Sequence, residues 1–207
     1  MFKDIFTNKK KLITVIIAAM LIIVVLVFGL FNMLDNDKNN VFKDEYESLN
    51  NVATEDGKKY PRVVIPEDNK IKYASYEEVI DIFNKNGDAV VYFGYPTCLY
   101  CRTAIQVLLN VSEETEISEI LYLDVLEKDE RYNELLGKLG DEFKTEQNEI
   151  YSPLVIFVAD GNIVSYNKGT LFSQEDPYQE LDQSQINGLS HIYKSGIQDV
   201  LNAMRNN

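Results

Sequence analysis

The feature that most narrows what this chain can become is the stretch from Leu12 to Phe31, twenty residues without a charge and with Thr14 as the one polar interruption. At about 1.5 Å rise per residue a helix of that length crosses a hydrocarbon core of about 30 Å. A buried helix of a soluble domain is normally amphipathic, and a cleavable signal peptide has an apolar region of only about 7 to 15 residues before a small-x-small site. Asn32, Met33, Leu34 and Asp35 offer no such site. We therefore expect an uncleaved transmembrane helix over residues 12–34, with residues 1–11 as a cytoplasmic tail. No cysteine lies near the span, which excludes a lipid-modified lipoprotein. Lys3, Lys9, Lys10 and Lys11 precede it, while Asp35 and Asp37, with Lys38, follow it. The positive-inside bias then puts the N-terminus in the cytoplasm and the remainder outside the cell membrane as a single-pass protein.

Charge sharpens that division. The 207 residues carry a net charge of −13, yet residues 1–34 hold +3, so the exported remainder holds −16. Such a balance argues against a nucleic-acid partner, which needs a basic face. Solubility accounts for the excess, with recognition of cationic peptides as the functional alternative. A hydrophobic content of 45% excludes disorder throughout. Two cysteines exclude a disulfide scaffold, and with His191 they leave a four-ligand zinc site one ligand short, so no metal or cofactor is expected.

Residues 35–70 are polar, with prolines bracketing the apolar run Val63-Val64-Ile65, and read as a juxtamembrane linker that contributes at most an edge strand. Residues 71–207 read as one α/β domain in the order βαβαβαββα. Ile71 to Ala74 is a short strand, and Ser75 with Glu78 forms a capping box opening a helix with Val79, Ile80, Ile82 and Phe83 on its apolar face. Ala89 to Phe93 is a strand buried on both faces. Ala104, Ile105, Val107, Leu108 and Leu109 mark the next helix, and Ile117 to Val125 a third strand. Tyr132, Leu135, Leu136, Leu139 and Phe143 carry a third helix, weakened by Gly137 and Gly140. Pro153 opens the strand Leu154 to Val158, Asp160-Gly161 turns it into a hairpin ending at Tyr166, and a polar loop, Ser173 to Gln183, leads to the last helix.

Both cysteines fall in Cys98-Leu99-Tyr100-Cys101, at the junction of a buried strand and a helix. There the unpaired N–H groups and positive dipole end stabilise a thiolate on the first sulfur, and the second lies about one turn away, within reach of a mixed disulfide. Cys98 then acts as nucleophile and Cys101 as resolving thiol. Half of a metal site lacks partners, and haem attachment needs a histidine where Arg102 stands. A plain structural disulfide remains open. The Arg102 charge would lower the thiolate pKa, although a residue just inside a helix often points to solvent.

With that motif and element order, residues 71–205 resemble the thioredoxin-like superfamily. The resemblance implies a central mixed sheet flanked by helices. It also implies that Pro153 is cis and, with Ser152, lines the groove where an extended substrate pairs its backbone. Departures accompany it. Thr97 stands where thioredoxins have tryptophan, Leu99-Tyr100 replaces Gly-Pro, and Tyr92 occupies the place of a buried acid six positions before the first cysteine. Glu119 and Asp124, in the neighbouring strand, are the nearest carboxylates to replace it, with a solvated strand end as the favoured alternative for either. The layout is most similar to membrane-tethered thioredoxin-like proteins of Gram-positive bacteria, including bacteriocin transport accessory proteins.

Two functions follow as expectations. The first is an anchored, extracytoplasmic thiol-disulfide oxidoreductase acting on cysteines of exported proteins or peptides through the Cys98–Cys101 disulfide, in exchange with a membrane redox partner. The second is a non-catalytic accessory module that uses the same groove to hold a peptide or a membrane complex.

Overall fold

The computed structural model describes residues 9–171 and 173–206; within the first helix, side chains are described at 13–24, 26, 27 and from 41 onward. The chain divides into two units, residues 1–38 and Asn39–Asn207. The first helix, α1 (Lys9–Ser48), contains the expected membrane span. Among the described residues no helix is long and apolar enough to cross a membrane. The side chains of Leu12, Val25 and residues 28–34, which complete the expected span, lie outside the described ones.

The second unit is built on one five-stranded sheet in the order β1-β3-β2-β4-β5. Its strands are β1 (Ile71–Tyr73), β2 (Ala89–Gly94), β3 (Ile120–Asp124), β4 (Leu154–Ala159) and β5 (Asn162–Lys168). β1, β3 and β2 run parallel, and β4 and β5 are antiparallel to their neighbours. Helices α2 (Tyr76–Asn84), α3 (Leu99–Glu113), α4 (Tyr132–Leu139) and α5 (Gln183–Asn206) supply the crossovers and the end of the chain. The expected mixed sheet with flanking helices, and the order βαβαβαββα, are both present.

Strand parity divides the core into two halves, because successive side chains leave a strand on opposite faces. Val90, Tyr92, Tyr122, Val155 and Phe157 join α3 and α5 through Ile105, Leu108, Tyr193 and Ile197. Val91, Phe93, Leu121, Leu123 and Ile156 join α2 and α4 through Val79, Ile80, Leu135 and Leu136. The central strands β2 and β4 are buried at every residue, whereas the edge strand β5 alternates between exposed and half-buried ones. The capping box is formed, with Ser75 Oγ accepting from Glu78 N and the Glu78 carboxylate accepting from Ser75 N. α4 ends at Leu139, short of the expected Phe143, because Gly140 takes φ +86° and its N–H closes the helix on Leu136 O. Phe143 reaches the core from a 3-10 turn instead.

From Asn39 on, the residues expected as a linker belong to the domain. Phe42, Tyr46, Val63 and Ile65 are buried in the same half of the core as α3 and α5. The Pro61–Pro66 stretch forms no strand; Lys43 Nζ donates to Ile65 O, and Ile65 N donates to the Glu47 carboxylate. Phe42 and Tyr46 stand one turn apart on the end of α1 and meet Tyr122 with ring centroids 4.8 and 6.2 Å away. Burying those rings outweighs the polar composition around them.

Gly196 of α5 faces Phe157 so closely that a Cβ there would lie 2.3 Å from the ring. Gly196→Ala, although alanine is the better helix former, should destabilise the fold by about 1–3 kcal/mol through overpacking. A lowered urea midpoint with an unchanged slope is the expected result.

Candidate redox site

β2 ends at Gly94, and a short turn carries the chain to Cys98, the N-cap of α3 with extended backbone (φ −75°, ψ 118°). Its Sγ accepts from Cys101 N at 3.1 Å, satisfying one of the free N–H groups of the first turn. Cys98 and Cys101 are joined as a disulfide with Cα atoms 5.0 Å apart. Cys98 is half-buried and Cys101 is fully buried, so an approaching sulfur meets Cys98 first.

The Ser152-Pro153 bond is cis. Antiparallel pairing of Phe93 with Leu154 brings Pro153 to the end of the sheet where β2 leads into the cysteines. Pro153 is buried, Ser152 is half-buried, and Gly169 N donates to Pro153 O at 2.7 Å. Beside them lies a cleft of about 320 Å³ lined by Tyr100, Tyr151, Lys168, Thr170, Leu171 and Gln174. One wall comes from Tyr100, the second of the two residues between the cysteines, and another from the residue before Ser152. The acidic loop 173–182 closes on this region, with Tyr100 Oη donating to Glu175 O at 3.3 Å. The loop is pinned from the far side, where Tyr178 Oη donates to Asp56 at 2.9 Å and Lys58 Nζ sits 4.4 Å from the Tyr178 ring centre.

Beneath the disulfide stands a tyrosine, not an acid. Tyr92 is fully buried and its hydroxyl donates to Cys101 O at 2.9 Å. Its ring stacks on Tyr122, centroids 5.7 Å apart, and burial pushes both phenols well above their ordinary range. Gly94 makes room for this: a Cβ there would lie 2.6 Å from the Tyr92 hydroxyl oxygen. Of the two carboxylates expected nearby, Glu119 is exposed and pairs with Lys72 at 3.7 Å. Asp124 is half-buried at the end of β3, accepts from Leu126 N at 2.8 Å and from Tyr122 Oη at 3.4 Å, and is pushed up chiefly by burial. His191 is exposed on α5.

Arg102 does not point to solvent. It is fully buried, and its guanidinium donates from Nε to Pro61 O (2.7 Å), from Nη1 to Tyr46 O (2.7 Å) and Pro96 O (3.2 Å), and from Nη2 to Asn50 Oδ1 (2.8 Å). The rings of Tyr46 and Tyr60 flank it at 5.9 and 5.7 Å. Tyr46, Asn50 and Pro61 are therefore part of the site's support, which the linker reading missed. One signal for them was present in the Phe42/Tyr46 pair, spaced one helical turn apart.

No family model and no curated protein sequence matches the chain. Among solved structures it is similar to the solution structure of desulfothioredoxin from Desulfovibrio vulgaris Hildenborough in its reduced form. That similarity has 22% identity and a TM-score of 0.41, covering 61% of this chain and 98% of the other.

Gly94→Ala should lower stability by about 1–3 kcal/mol by driving the new methyl into the Tyr92 phenol. Adding Tyr92→Phe should recover part of that loss, because the two residues share the contact. Strict additivity in denaturation of the four chains of that cycle would contradict the packing described.

Proposed function

We propose that this chain is a membrane-anchored, extracytoplasmic thiol-disulfide oxidoreductase acting on cysteines of exported proteins or peptides. The observation that carries the reading is the asymmetric pair at the start of α3: a half-buried Cys98 sulfur at the helix N-cap, joined to a fully buried Cys101. In this reading a substrate thiolate attacks Cys98, the less buried of the two cysteines, beside the cleft that Tyr100 and Tyr151 line. Cys101 is the resolving thiol, shielded from solvent and within reach of any mixed disulfide on Cys98. Ser152 and Pro153 are placed at the same end of the sheet, where an extended substrate backbone would be held.

The anchor in this proposal is the apolar stretch of α1. Its support is the uncharged run Leu12 to Phe31 and the exposure of its described apolar side chains, Leu21 and Val24 among them at 61% and 63%. Exposed hydrophobic side chains at successive positions suit a lipid environment better than water. The lysines before the span supply the orientation.

A second reading, an accessory module that holds a secreted peptide without redox turnover, is favoured by a different observation. Tyr92 fills the place of a proton-accepting acid, and the acidic loop 173–182 is drawn over the site by Tyr100. The resemblance to bacteriocin transport accessory proteins belongs with this reading.

Cys98→Ser should abolish exchange with a small disulfide substrate, and Cys101→Ser should accumulate mixed disulfides on Cys98 that release with reductant. If the double serine variant keeps the cellular phenotype, the accessory reading replaces the enzymatic one. Removal of residues 1–34 should move the protein from the membrane to the soluble fraction, and retention on carbonate-washed membranes would contradict the anchor.

A further inference from the structure

Among the described residues, the guanidinium of Arg102 is buried against neutral acceptors only. Three of its four partner groups are backbone carbonyls and the fourth is the Asn50 amide oxygen. Among the described residues no carboxylate forms an ion pair with it. The titratable groups that act on it are the phenols of Tyr46, Tyr60 and Tyr92. Tyr46 and Tyr92 are held neutral by burial. Glu47, the acid next to Tyr46 on α1, is engaged elsewhere, accepting from Lys43 Nζ and Ile65 N. Burial lowers the pKa of Arg102, yet a guanidinium keeps its proton at neutral pH.

This charge sits behind the turn that bears the nucleophile. Nη1 binds the carbonyl of Pro96, two residues before Cys98, and the backbone N–H of Arg102 donates to Cys98 O at 3.1 Å. In the disulfide state the turn carries no anion to answer it. Reduction supplies one, a Cys98 thiolate at the positive end of α3, and between a buried cation and a half-buried anion such an attraction is screened less than at the surface. A couple whose reduced form is stabilised is a stronger oxidant.

We propose that Arg102 sets the direction of the Cys98–Cys101 couple, its uncompensated buried charge favouring the dithiol form so that the disulfide oxidises substrate dithiols. The inference rests on the oxidoreductase reading and adds the direction and the residue responsible. A substrate thiolate attacks Cys98 Sγ, the Cys98–Cys101 bond breaks, and Cys101 leaves as a thiolate that takes up a proton. The second substrate thiol, deprotonated, attacks the substrate sulfur of the mixed disulfide and displaces Cys98 as a thiolate. Two electrons pass from the substrate dithiol to the pair; of the two substrate protons, one ends on Cys101 and one in solvent.

The test uses the full-length chain in detergent micelles. Thiolate absorbance of the reduced protein should titrate at least one unit below the ordinary cysteine value of about 8.5. Asn50→Asp, close in shape, places a carboxylate where Nη2 now meets an amide oxygen. It should raise that pKa and lower the equilibrium constant for oxidation of glutathione about tenfold, which is about 30 mV for a two-electron couple. Arg102→Gln should shift both quantities the same way, and Arg102→Lys, which keeps the charge, should stay within about threefold of the parent. A parent thiol that titrates near 8.5, or a folded Asn50→Asp chain with both quantities unchanged, overturns the proposal. The parent titration decides even where a variant fails to fold. A pair that never equilibrates with glutathione overturns the oxidoreductase reading, and this inference falls with it.

Discussion

The domain is organised around one guanidinium. Removing a charge from water costs several kcal/mol even after relaxation, and well-placed acceptors offset that cost. For Arg102 those acceptors come from Tyr46 and Asn50 near the end of α1, from Pro61 in the extended segment and from Pro96 before the cysteines. Sequence separations of 41 to 56 residues to Pro61, Asn50 and Tyr46 have to close at one point. The cysteine-bearing turn is thereby tied to a segment that the sheet itself does not use.

Around that point the polar groups are tyrosines where a carboxylate would be simpler. Tyr46, Tyr92 and Tyr122 share one half of the core, and all three phenols are held neutral by burial. A phenol offers a donor and large apolar area without bringing a buried anion beside the cation. The hydroxyl of Tyr92 fixes the carbonyl of Cys101, and Gly94 leaves it the space. The electrostatic character of the site therefore comes from what is missing near Arg102 as much as from what is present.

The parts of this arrangement legible in the sequence are those with local causes. Uninterrupted apolar runs mark β2 and β4, Ser75 and Glu78 announce a helix start, and Asp160-Gly161 forms the hairpin turn with both residues at positive φ. The pairing of the cysteines was legible in their four-residue spacing, and the cis Ser152-Pro153 bond was expected from the family resemblance and not from local sequence. What escaped depends on distant partners. Phe42, Tyr46, Val63 and Ile65 lie in polar surroundings that read as a linker, and only their convergence on α3 and Tyr122 makes them core. The direction of Arg102 was readable in principle: three residues before Ile105 and seven before Leu109, it shares their buried stripe. A charged residue on such a stripe signals a partner held elsewhere in the chain. The short β3 has a similar lesson, since Ile117 is buried yet outside the strand, where β1 has no residue left to pair.

The closing of the Arg102 cage also imposes an order in time. Tyr46 is made 56 residues before the side chain that binds its carbonyl, an interval of about 3 to 11 seconds at about 5 to 20 residues per second. β1 likewise waits for β3, the strand it pairs with. The first parts of the domain to be synthesised are thus among the last able to reach their final surroundings. Their aromatic side chains must be kept from other company while the remainder of the sheet is delivered.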